Sequence, residues 1–238
     1  MNYDWSWSVF VQPTLDGSMN YLERLVQGVA VTVATAILAW VIALAFGTVI
    51  GVMRTTTSSS LSAFARAYVE LFRNIPLLLQ LFLWYFVLPE MLPKTLGDWL
   101  KSLAYGSFYV GFIGLGFYTS ARIAEQVRAG IQALPTGQTS AALALGMTRS
   151  QAYRYILIPR TYVTMLPSLT SEGLALMKNT SVALTIGLAE LTAQARAMQE
   201  YTFHVFEAFS AATLMYFALN VVIVQFSKFI ERRTAHRL

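Results

Sequence analysis

Residues 25–53 contain no charged side chain and consist mainly of Ala, Val, Ile, Leu and Gly. A helix needs about 20 apolar residues to cross the hydrocarbon core of a bilayer, so this stretch is long enough to span a membrane with some tilt. In lipid a helix satisfies its own backbone hydrogen bonds, whereas an open sheet leaves an edge unpaired. The stretch therefore predicts an all-α integral membrane protein.

The composition agrees with a membrane protein and excludes several other classes. Of the 238 residues, 56% are hydrophobic and 12% are charged, which is about half the charged fraction of ordinary soluble domains. There is no cysteine and there are two histidines, His204 and His236, so we expect no disulfide and no metal site. The net charge of +5 fits cytoplasmic loops of a membrane protein rather than nucleic-acid binding, because the basic residues do not cluster with aromatic ones.

Four further apolar stretches bring the predicted number of transmembrane helices to about five. In chain order the predicted spans are residues 25–53, 74–89, 102–121, 161–189 and 208–227. Asn74 is a candidate N-cap of the second span, and Pro167 is expected to bend the fourth. Residues 129–148 are also uncharged, but Pro135 and the polar run at 136–140 predict a loop there.

The charges of the connecting segments alternate along the chain. Lys and Arg are richer in every second segment, which by the positive-inside rule places the N-terminus outside and the C-terminus in the cytoplasm. The predicted organisation is an extracytoplasmic tail at residues 1–24, a transmembrane domain at 25–228 with a cytoplasmic loop near 134–160, and a cytoplasmic tail at 229–238.

The cytoplasmic loop contains the segment SAALALGMTRSQAYRYILIP, residues 140–159. It resembles the signature loop of binding-protein-dependent ABC importer permeases, in which Glu-Ala-Ala is followed by a Gly, an apolar residue and a closing Leu-Pro. The matching positions are Ala141, Ala142, Gly146, Ile156, Ile158 and Pro159. Ser140 stands where the family has Glu, so any contact made by that Glu must be weaker or replaced.

The residues of this loop suit close contact with another protein. Small side chains let a partner backbone approach, and Gly146 permits a sharp turn between two short helices. Pro159 is expected to end the loop and to open the fourth span. The resemblance implies that the loop docks on an ATP-binding subunit, while the residues alone also fit a plain amphipathic surface loop.

The resemblance also implies partners and a location. The sequence has no G-x-x-x-x-G-K-[ST] phosphate loop, so we expect a transport subunit that is not an enzyme and holds no cofactor of its own. ATP and Mg would be bound by a separate ATP-binding cassette subunit. The resemblance further implies a type I importer permease in the bacterial cytoplasmic membrane, with a second, related permease subunit forming a heterodimer and an extracytoplasmic amino-acid-binding protein.

Three segments point to the polar-amino-acid branch of this family, which includes histidine and glutamate permeases. Residues 68–76, YVELFRNIP, resemble the segment before the second span, and residues 178–181, KNTS, resemble an element of the fourth span. Residues 118–130, YTSARIAEQVRAG, are similar to glutamate/aspartate permeases, in which an Arg occupies the position of Arg122. The resemblance therefore implies glutamate/aspartate import.

Arg122 is also conspicuous without any family comparison. A charge inside a span costs roughly 2.5–3.5 kcal/mol and usually faces the bundle interior. Arg122, Glu125 and Arg128 lie at i, i+3 and i+6, along one stripe of a helix. Glu125 can neutralise one arginine, and Arg128 can reach the interface. Arg122 then remains as a buried cation for a substrate carboxylate, unless it pairs with Glu125 or Glu172.

The other candidate substrate-binding residues are Glu172, Lys178, Asn179 and Ser181. Glu172 could meet a substrate ammonium or form an ion pair between helices. Lys178 belongs to a motif that is general in the family, so it is expected to support gating or packing. In the last extracytoplasmic connection, Glu190, Glu200 and Glu207 are expected to form a solvated acidic loop, with docking of the binding protein as the alternative.

Three alternative functions remain on the residues alone. The first is a permease for another polar amino acid, namely glutamine, histidine or arginine. The second is an ion-coupled secondary transporter, which would call for more spans and an internal repeat. The third is a membrane-embedded enzyme, for which no convincing catalytic set is present.

Overall fold

The computed structural model describes residues 3–234, and the regular elements in this range are helices. A single isolated bridge joins Pro13 to Asn20. The predicted all-α class is therefore confirmed. The outer ends of the two predicted tails, including His236, lie outside the described residues.

The helices differ widely in length. The α-helices are α1 Tyr21–Met53, α2 Ser59–Asn74, α3 Leu77–Phe82, α4 Leu88–Met91, α5 Lys94–Ser102, α6 Gly106–Ala133, α7 Thr136–Ala144, α8 Arg149–Ala152, α9 Ile158–Thr164, α10 Leu166–Asn179, α11 Leu191–Thr202 and α12 Val205–Thr234. Trp7–Val11 and Thr180–Ile186 are 3-10 helices, and Leu83–Val87 and Tyr153–Leu157 are π-helical segments.

Two of these helices, α1 and α12, are long and apolar enough by themselves to cross a membrane. A third span results if α2 is counted together with the helical stretch Leu77–Met91. Apolar helices able to span a bilayer confirm a membrane protein. The count of five spans and their orientation stay predictions.

The predicted start of the second span is displaced by three residues. Asn74 is the last residue of α2 rather than an N-cap, and α3 begins at Leu77. Ile75 has the extended backbone angles φ −94° and ψ 127°. The ring of Pro76 disfavours helical angles at the residue before it, which explains why one helix ends here and another begins.

The loop predicted at residues 129–148 is wrong for most of its length, because the segment is largely helical. Helix α6 continues to Ala133, and α7 starts at Thr136 after a short break. Pro135 occupies the N-cap position of α7, where its missing N–H costs no helical hydrogen bond. The alanines that follow are the strongest helix formers, so the chain resumes the helix.

The helix in the predicted fourth span, residues 161–189, is interrupted at Met165, two residues before Pro167, while i→i−4 hydrogen bonds continue from Met165 to Thr161 and from Leu169 to Met165. Helix α9 ends before Met165, and Pro167 lies in the first turn of α10, a position that proline tolerates. After α10 the chain tightens into the 3-10 helix Thr180–Ile186. Gly187 then ends it with φ +83°, a left-handed conformation that favours glycine.

Both π-helical segments precede a proline. Leu83–Val87 is followed by Leu88 and Pro89, and Tyr153–Leu157 by Ile158 and Pro159. In each case the N–H after the segment bonds to a carbonyl five residues earlier. Proline has no N–H and crowds the carbonyl four residues back, and the wider π turn accommodates both effects. Pro159 therefore lies inside a continuous helical path from α8 to α9 rather than at a break between the loop and a helix.

The described residues pack into two compact units. The first unit contains residues 3–38, 77–115 and 176–221, and its core includes Val9, Leu25, Leu191, Met198 and Ala208. The second unit contains residues 39–76, 116–175 and 222–234, and its core includes Ala43, Ile123, Val127, Met165 and Leu169.

Candidate functional site

Close packing of α1 against α6 holds the charged stripe of α6 in place within the second unit. Small residues recur at every fourth position of α1, at Ala43, Gly47 and Gly51. A Cβ added at Gly47 would lie 2.7 Å from Cβ of Ile123, and one at Gly51 would lie 2.7 Å from the carbonyl oxygen of Ala124. The small residues thus let two helix backbones approach, as in other membrane helix pairs.

Glu125 of α6 pairs with two arginines. Its Oε2 accepts a hydrogen bond from Arg54 Nη1, and its Oε1 accepts one from Arg128 Nε at 3.0 Å. The i, i+3 pairing with Arg128 follows the expected stripe. Arg54, at the end of α1, was not foreseen as a partner. Glu125 is occupied by these two cations, so its charge is compensated without Arg122.

Arg122 has weaker partners than its two neighbours on the stripe. Its Nη2 donates to the Tyr118 hydroxyl at 3.1 Å, and its guanidinium carbon lies 5.3 Å from the centroid of that ring. Its Nη1 is 4.0 Å from Glu172 Oε2, the outer limit of an ion pair. The side chain is 46% exposed in this chain. The expectation of a buried cation is therefore wrong for the chain alone.

Glu172 of α10 is held in a short polar chain. Its side chain is 15% exposed, and its Oε1 accepts a hydrogen bond from Gln126 Nε2 at 3.2 Å. Ser168 donates to Gln126 Oε1 at 3.1 Å. Sequence reasoning missed Gln126 and Ser168. Helical spacing offered a signal, because Gln126 lies four residues after Arg122 and so shares its face of α6.

The structure places the other candidate substrate residues in the first unit. Lys178 and Asn179 end α10, and Ser181 lies in the 3-10 helix that follows. The Ser181 hydroxyl donates to the carbonyl of Lys178 at 2.7 Å, which caps the end of the α-helix. Between them in sequence, Thr180 is fully buried and donates to Met177. The KNTS element thus forms a local turn as well as carrying a charge.

The predicted turn at Gly146 is present. Gly146 has φ +81°, and its N–H bonds to Leu143 while that of Met147 bonds to Ala142, the pattern of a Schellman motif at the end of α7. Helix α8 then starts with a capping box between Thr148 and Gln151. Two short helices meet at a glycine, as the sequence indicated.

Only some of the side chains on the surface of this signature loop are small. Ala141 and Pro159 are exposed and Ile156 is half-buried, whereas Ala142 is 2% exposed and therefore serves packing. Leu145, which the motif did not single out, is 82% exposed beside Gly146. An apolar side chain this exposed suits contact with another molecule.

The signature loop is also anchored within the second unit. The Tyr153 hydroxyl donates to the carbonyl and hydroxyl oxygens of Thr55, at 3.2 and 3.1 Å. Arg149 Nη1 donates to the Thr57 hydroxyl at 3.3 Å. These bonds join the loop to the turn between α1 and α2.

The prediction of a solvated acidic loop in the last extracytoplasmic connection is wrong for two of its three glutamates. Glu190 and Glu207 are fully buried, and Glu200 is exposed beside Arg196. Glu190 caps α11 by accepting from the N–H groups of Thr192 and Ala193, at 3.0 and 2.8 Å. Burial raises the pKa of the Glu190 carboxyl, although these hydrogen bonds act in the opposite direction.

Residues 3–234 show no group of three or more His, Asp or Glu side chains placed to hold a metal ion. A half-exposed arginine with a loosely placed carboxylate can receive a ligand that carries charges of both signs.

Known proteins resemble the chain over most of its length. Glutamate/aspartate import permease protein GltJ of Escherichia coli O6:H1 is 44% identical over 98% of this chain and 96% of its own. Glutamate/aspartate import permease protein GltK of the same strain is 32% identical over 98% of this chain and 100% of its own. A solved amino acid ABC transporter with histidines superposes with a TM-score of 0.76, is 32% identical, and covers 90% of this chain and 95% of the solved one.

Residues 43–236 match the family model described as binding-protein-dependent transport system inner membrane component. This match covers well over half of the chain and agrees with the resemblance noted in the signature loop. The chain therefore belongs to the inner membrane components of binding-protein-dependent transport systems, and it is a transport subunit of the inner membrane.

Proposed function

We propose that this chain is a permease subunit of an ATP-driven importer for glutamate and aspartate, and that Arg122 binds the side-chain carboxylate of the substrate. The observation that carries the proposal is a half-exposed guanidinium whose nearest carboxylate, Glu172, is 4.0 Å away. Two relatives that match nearly the full chain bear the names of glutamate/aspartate permeases, which supports the same substrate here.

The charges suit an acidic amino acid. Arginine offers a planar fork that matches a carboxylate, and it stays charged at any physiological pH. Glu172 supplies an anion near the same point for the ammonium group. Because Glu125 is compensated by Arg54 and Arg128, it does not compete for Arg122.

The proposed partners follow from the same family. A separate ATP-binding cassette subunit binds ATP and Mg and receives the signature loop, with Gly146 and the exposed Leu145 at its tip. An extracytoplasmic amino-acid-binding protein delivers the substrate. Two distinct permeases of one strain resemble this chain, which supports a related chain, rather than a second copy, as its partner.

The experiment is uptake of labelled glutamate by cells with and without this chain, competed by unlabelled aspartate, glutamine, arginine or histidine. We expect deletion to abolish the uptake and aspartate to compete most strongly. A defect confined to a neutral or cationic amino acid would instead assign the permease to another substrate.

Energy coupling needs its own measurement. A substitution in the phosphate loop of the partner ATPase should abolish uptake, since this chain is proposed to depend on that motor. Dissipating the ion gradients while ATP is maintained should leave initial rates unchanged. The reverse pattern would indicate an ion-coupled secondary transporter.

A further inference from the structure

The N-terminal segment carries a row of aromatic rings on the surface of the first unit. Tyr3, Trp5 and Trp7 follow one another in a chain of ring contacts, with centroids 5.4 Å and 5.3 Å apart. Phe206, at the start of α12, lies 4.6 Å from Tyr3 and 5.8 Å from Trp5. We call these four residues the aromatic row.

The aromatic row is held by a buried carboxylate. Glu207 is fully buried and accepts hydrogen bonds from the Tyr3 hydroxyl and from the Ser6 N–H, the latter at 2.7 Å. His204 Nδ1 lies 3.4 Å from the same carboxylate. On the other side of the segment, Val9 is fully buried in the core. The segment is therefore fixed, and the exposure of its rings is not the result of a loose end.

These rings nevertheless remain open on their outer side. Trp5 is 52% exposed, Trp7 54% and Phe206 54%. Apart from the exposed Asp4, residues 3–15 carry no charge, so the patch offers little to a partner that docks by charge complementarity. Indole and phenol rings with one polar end are the side chains favoured at the boundary between headgroups and acyl chains.

Phe203 is a second, independent indication that this surface faces the boundary between headgroups and acyl chains. It has φ +60°, a left-handed conformation that favours glycine or asparagine, and its ring is 80% exposed. Its N–H closes α11 by donating to the Gln199 carbonyl at 2.9 Å, and this cap does not require an aromatic side chain. An apolar environment outside the chain would favour the exposed ring.

The patch is continuous with a helix of this inner membrane protein that is long and apolar enough to cross the bilayer. Phe206 and Glu207 lie in the first turn of α12, and further along α12 the side chains of Leu214 and Phe217 are 64% and 66% exposed. We propose that the aromatic row and Phe203 form an interfacial anchor, which lies in the headgroup region of the bilayer and is fixed to α12 by Glu207.

The chain has no cysteine, so single-cysteine variants can carry a nitroxide label without background. The complete importer would be placed in vesicles of phosphatidylethanolamine with a minority of phosphatidylglycerol. Labels at Trp7→Cys and Phe203→Cys would be compared with Phe217→Cys, the lipid reference, and Glu200→Cys, the water reference. Collision rates with oxygen and with a water-soluble nickel chelate report the depth of each label.

We expect the labels at Trp7 and Phe203 to collide with oxygen nearly as often as that at Phe217, and with the nickel chelate several-fold less often than that at Glu200. Collision rates equal to those at Glu200 would overturn the proposal. Low rates with both reagents would also overturn it, because they would show that a protein covers the patch.

The role of Glu207 is tested by Tyr3→Phe, which removes the hydroxyl and keeps the ring against Phe206. With the label at Trp7, this variant should show faster label motion and more frequent nickel collisions, whereas the label at Phe203 should not change. An unchanged label at Trp7 would show that the hydrogen bond from Tyr3 to Glu207 is not needed to hold the anchor.

Discussion

Arg122 Nη1 of α6 and Glu172 Oε2 of α10 lie 4.0 Å apart, and the two side chains differ in exposure, at 46% and 15%. Such a separation is at the limit of an ion pair, and loosely placed exposed pairs contribute ~0–1 kcal/mol to stability. Glu172 keeps a second partner in Gln126. The guanidinium is thus near an anion without being committed to it.

Replacing Arg122 should therefore weaken substrate binding more than it weakens folding. We expect Arg122→Ala to raise the KM for glutamate and aspartate by about tenfold or more, since a hydrogen bond to a charged group contributes ~1.5–3 kcal/mol and ~1.4 kcal/mol is tenfold. Transport of glutamine, if present, should change little. Initial rates of uptake by the reconstituted importer measure both.

The matched control for Arg122 is Lys101→Ala. Lys101 forms an exposed ion pair with Glu90 and lies outside the proposed site, so its removal should leave KM unchanged. If Arg122→Ala lowered the amount of assembled importer while KM stayed constant, Arg122 would be a structural residue.

Glu172→Gln tests the proposed contact with the substrate ammonium separately from the contact between Arg122 and the substrate carboxylate. The variant keeps an acceptor for Gln126 Nε2 and removes only the charge. Because every amino acid carries an ammonium group, KM should rise for acidic and neutral substrates by a similar factor, in contrast to Arg122→Ala. A loss restricted to glutamate and aspartate would contradict this role for Glu172.

The contact between α1 and α6 predicts a steric effect at Gly51. A Cβ there would lie 2.7 Å from the carbonyl oxygen of Ala124 and 2.7 Å from Cβ of Val127. We expect Gly51→Ala to destabilise the chain by ~1–3 kcal/mol, because backbone atoms cannot give way. The melting temperature of the purified importer measures this change.

Gly173→Ala is the control for Gly51→Ala. Its Cβ would meet Trp40 at 3.9 Å and Ile223 at 4.0 Å, which are ordinary contacts. Alanine is also favoured over glycine in helices by ~0.5–1 kcal/mol. The melting temperature should stay constant or rise, and an equal fall in both variants would rule out the steric explanation.

Some of this site was predictable from sequence. The i, i+3 spacing predicted that Glu125 neutralises one arginine of the stripe but left open which one, and the structure shows Arg128. The repeat of small residues from Ala43 to Gly51 could have indicated where α1 meets another helix. The pairing of Arg54 with Glu125 could not be predicted, because it depends on how α1 and α6 are shifted along each other.

The buried acids show where sequence reasoning reaches its limit. The density of charge near Glu190 and Glu207 predicted a solvated loop. Their burial depends on partners distant in sequence, namely Tyr216 for Glu190 and Tyr3 and Ser6 for Glu207. A buried carboxylate is tolerated when donors surround it, and such donors can be identified only in the folded chain.

Burial of Glu190 predicts that the stability of the folded chain depends on pH. Burial raises the pKa of this carboxyl, so the folded chain holds the proton more tightly than the unfolded chain. Stability then falls as pH rises from the ordinary pKa of Glu through the raised value, by at most ~1.4 kcal/mol per pH unit for one proton. Glu190→Gln does not titrate and should lose this slope.

The measurement is the melting temperature of the purified importer, wild type and Glu190→Gln, across a pH series. The advantage of wild type over the variant should shrink as pH rises. Glu200→Gln, at an exposed position, should follow wild type throughout. A difference that grows with pH would contradict the assigned direction of the shift.

Variants of Gly146 can show whether the signature loop needs glycine for its backbone conformation or for its small size. Its φ is +81°, and no atom lies within 4 Å of a Cβ built there. Alanine would fit the space but would cost ~1–2 kcal/mol in the left-handed conformation, whereas asparagine visits this region more readily. We expect Gly146→Ala to reduce uptake several-fold at unchanged expression, and Gly146→Asn to reduce it less.

Which of the two Gly146 variants loses more uptake shows which property of the glycine the loop requires. If the loop needs the Schellman turn to hold Leu145 towards the ATPase, the conformation matters and alanine is the more harmful residue. If the ATPase backbone must approach Gly146 itself, size matters and the larger asparagine is the more harmful one. Initial uptake rates of the two variants, compared at equal amounts of assembled importer, give this order.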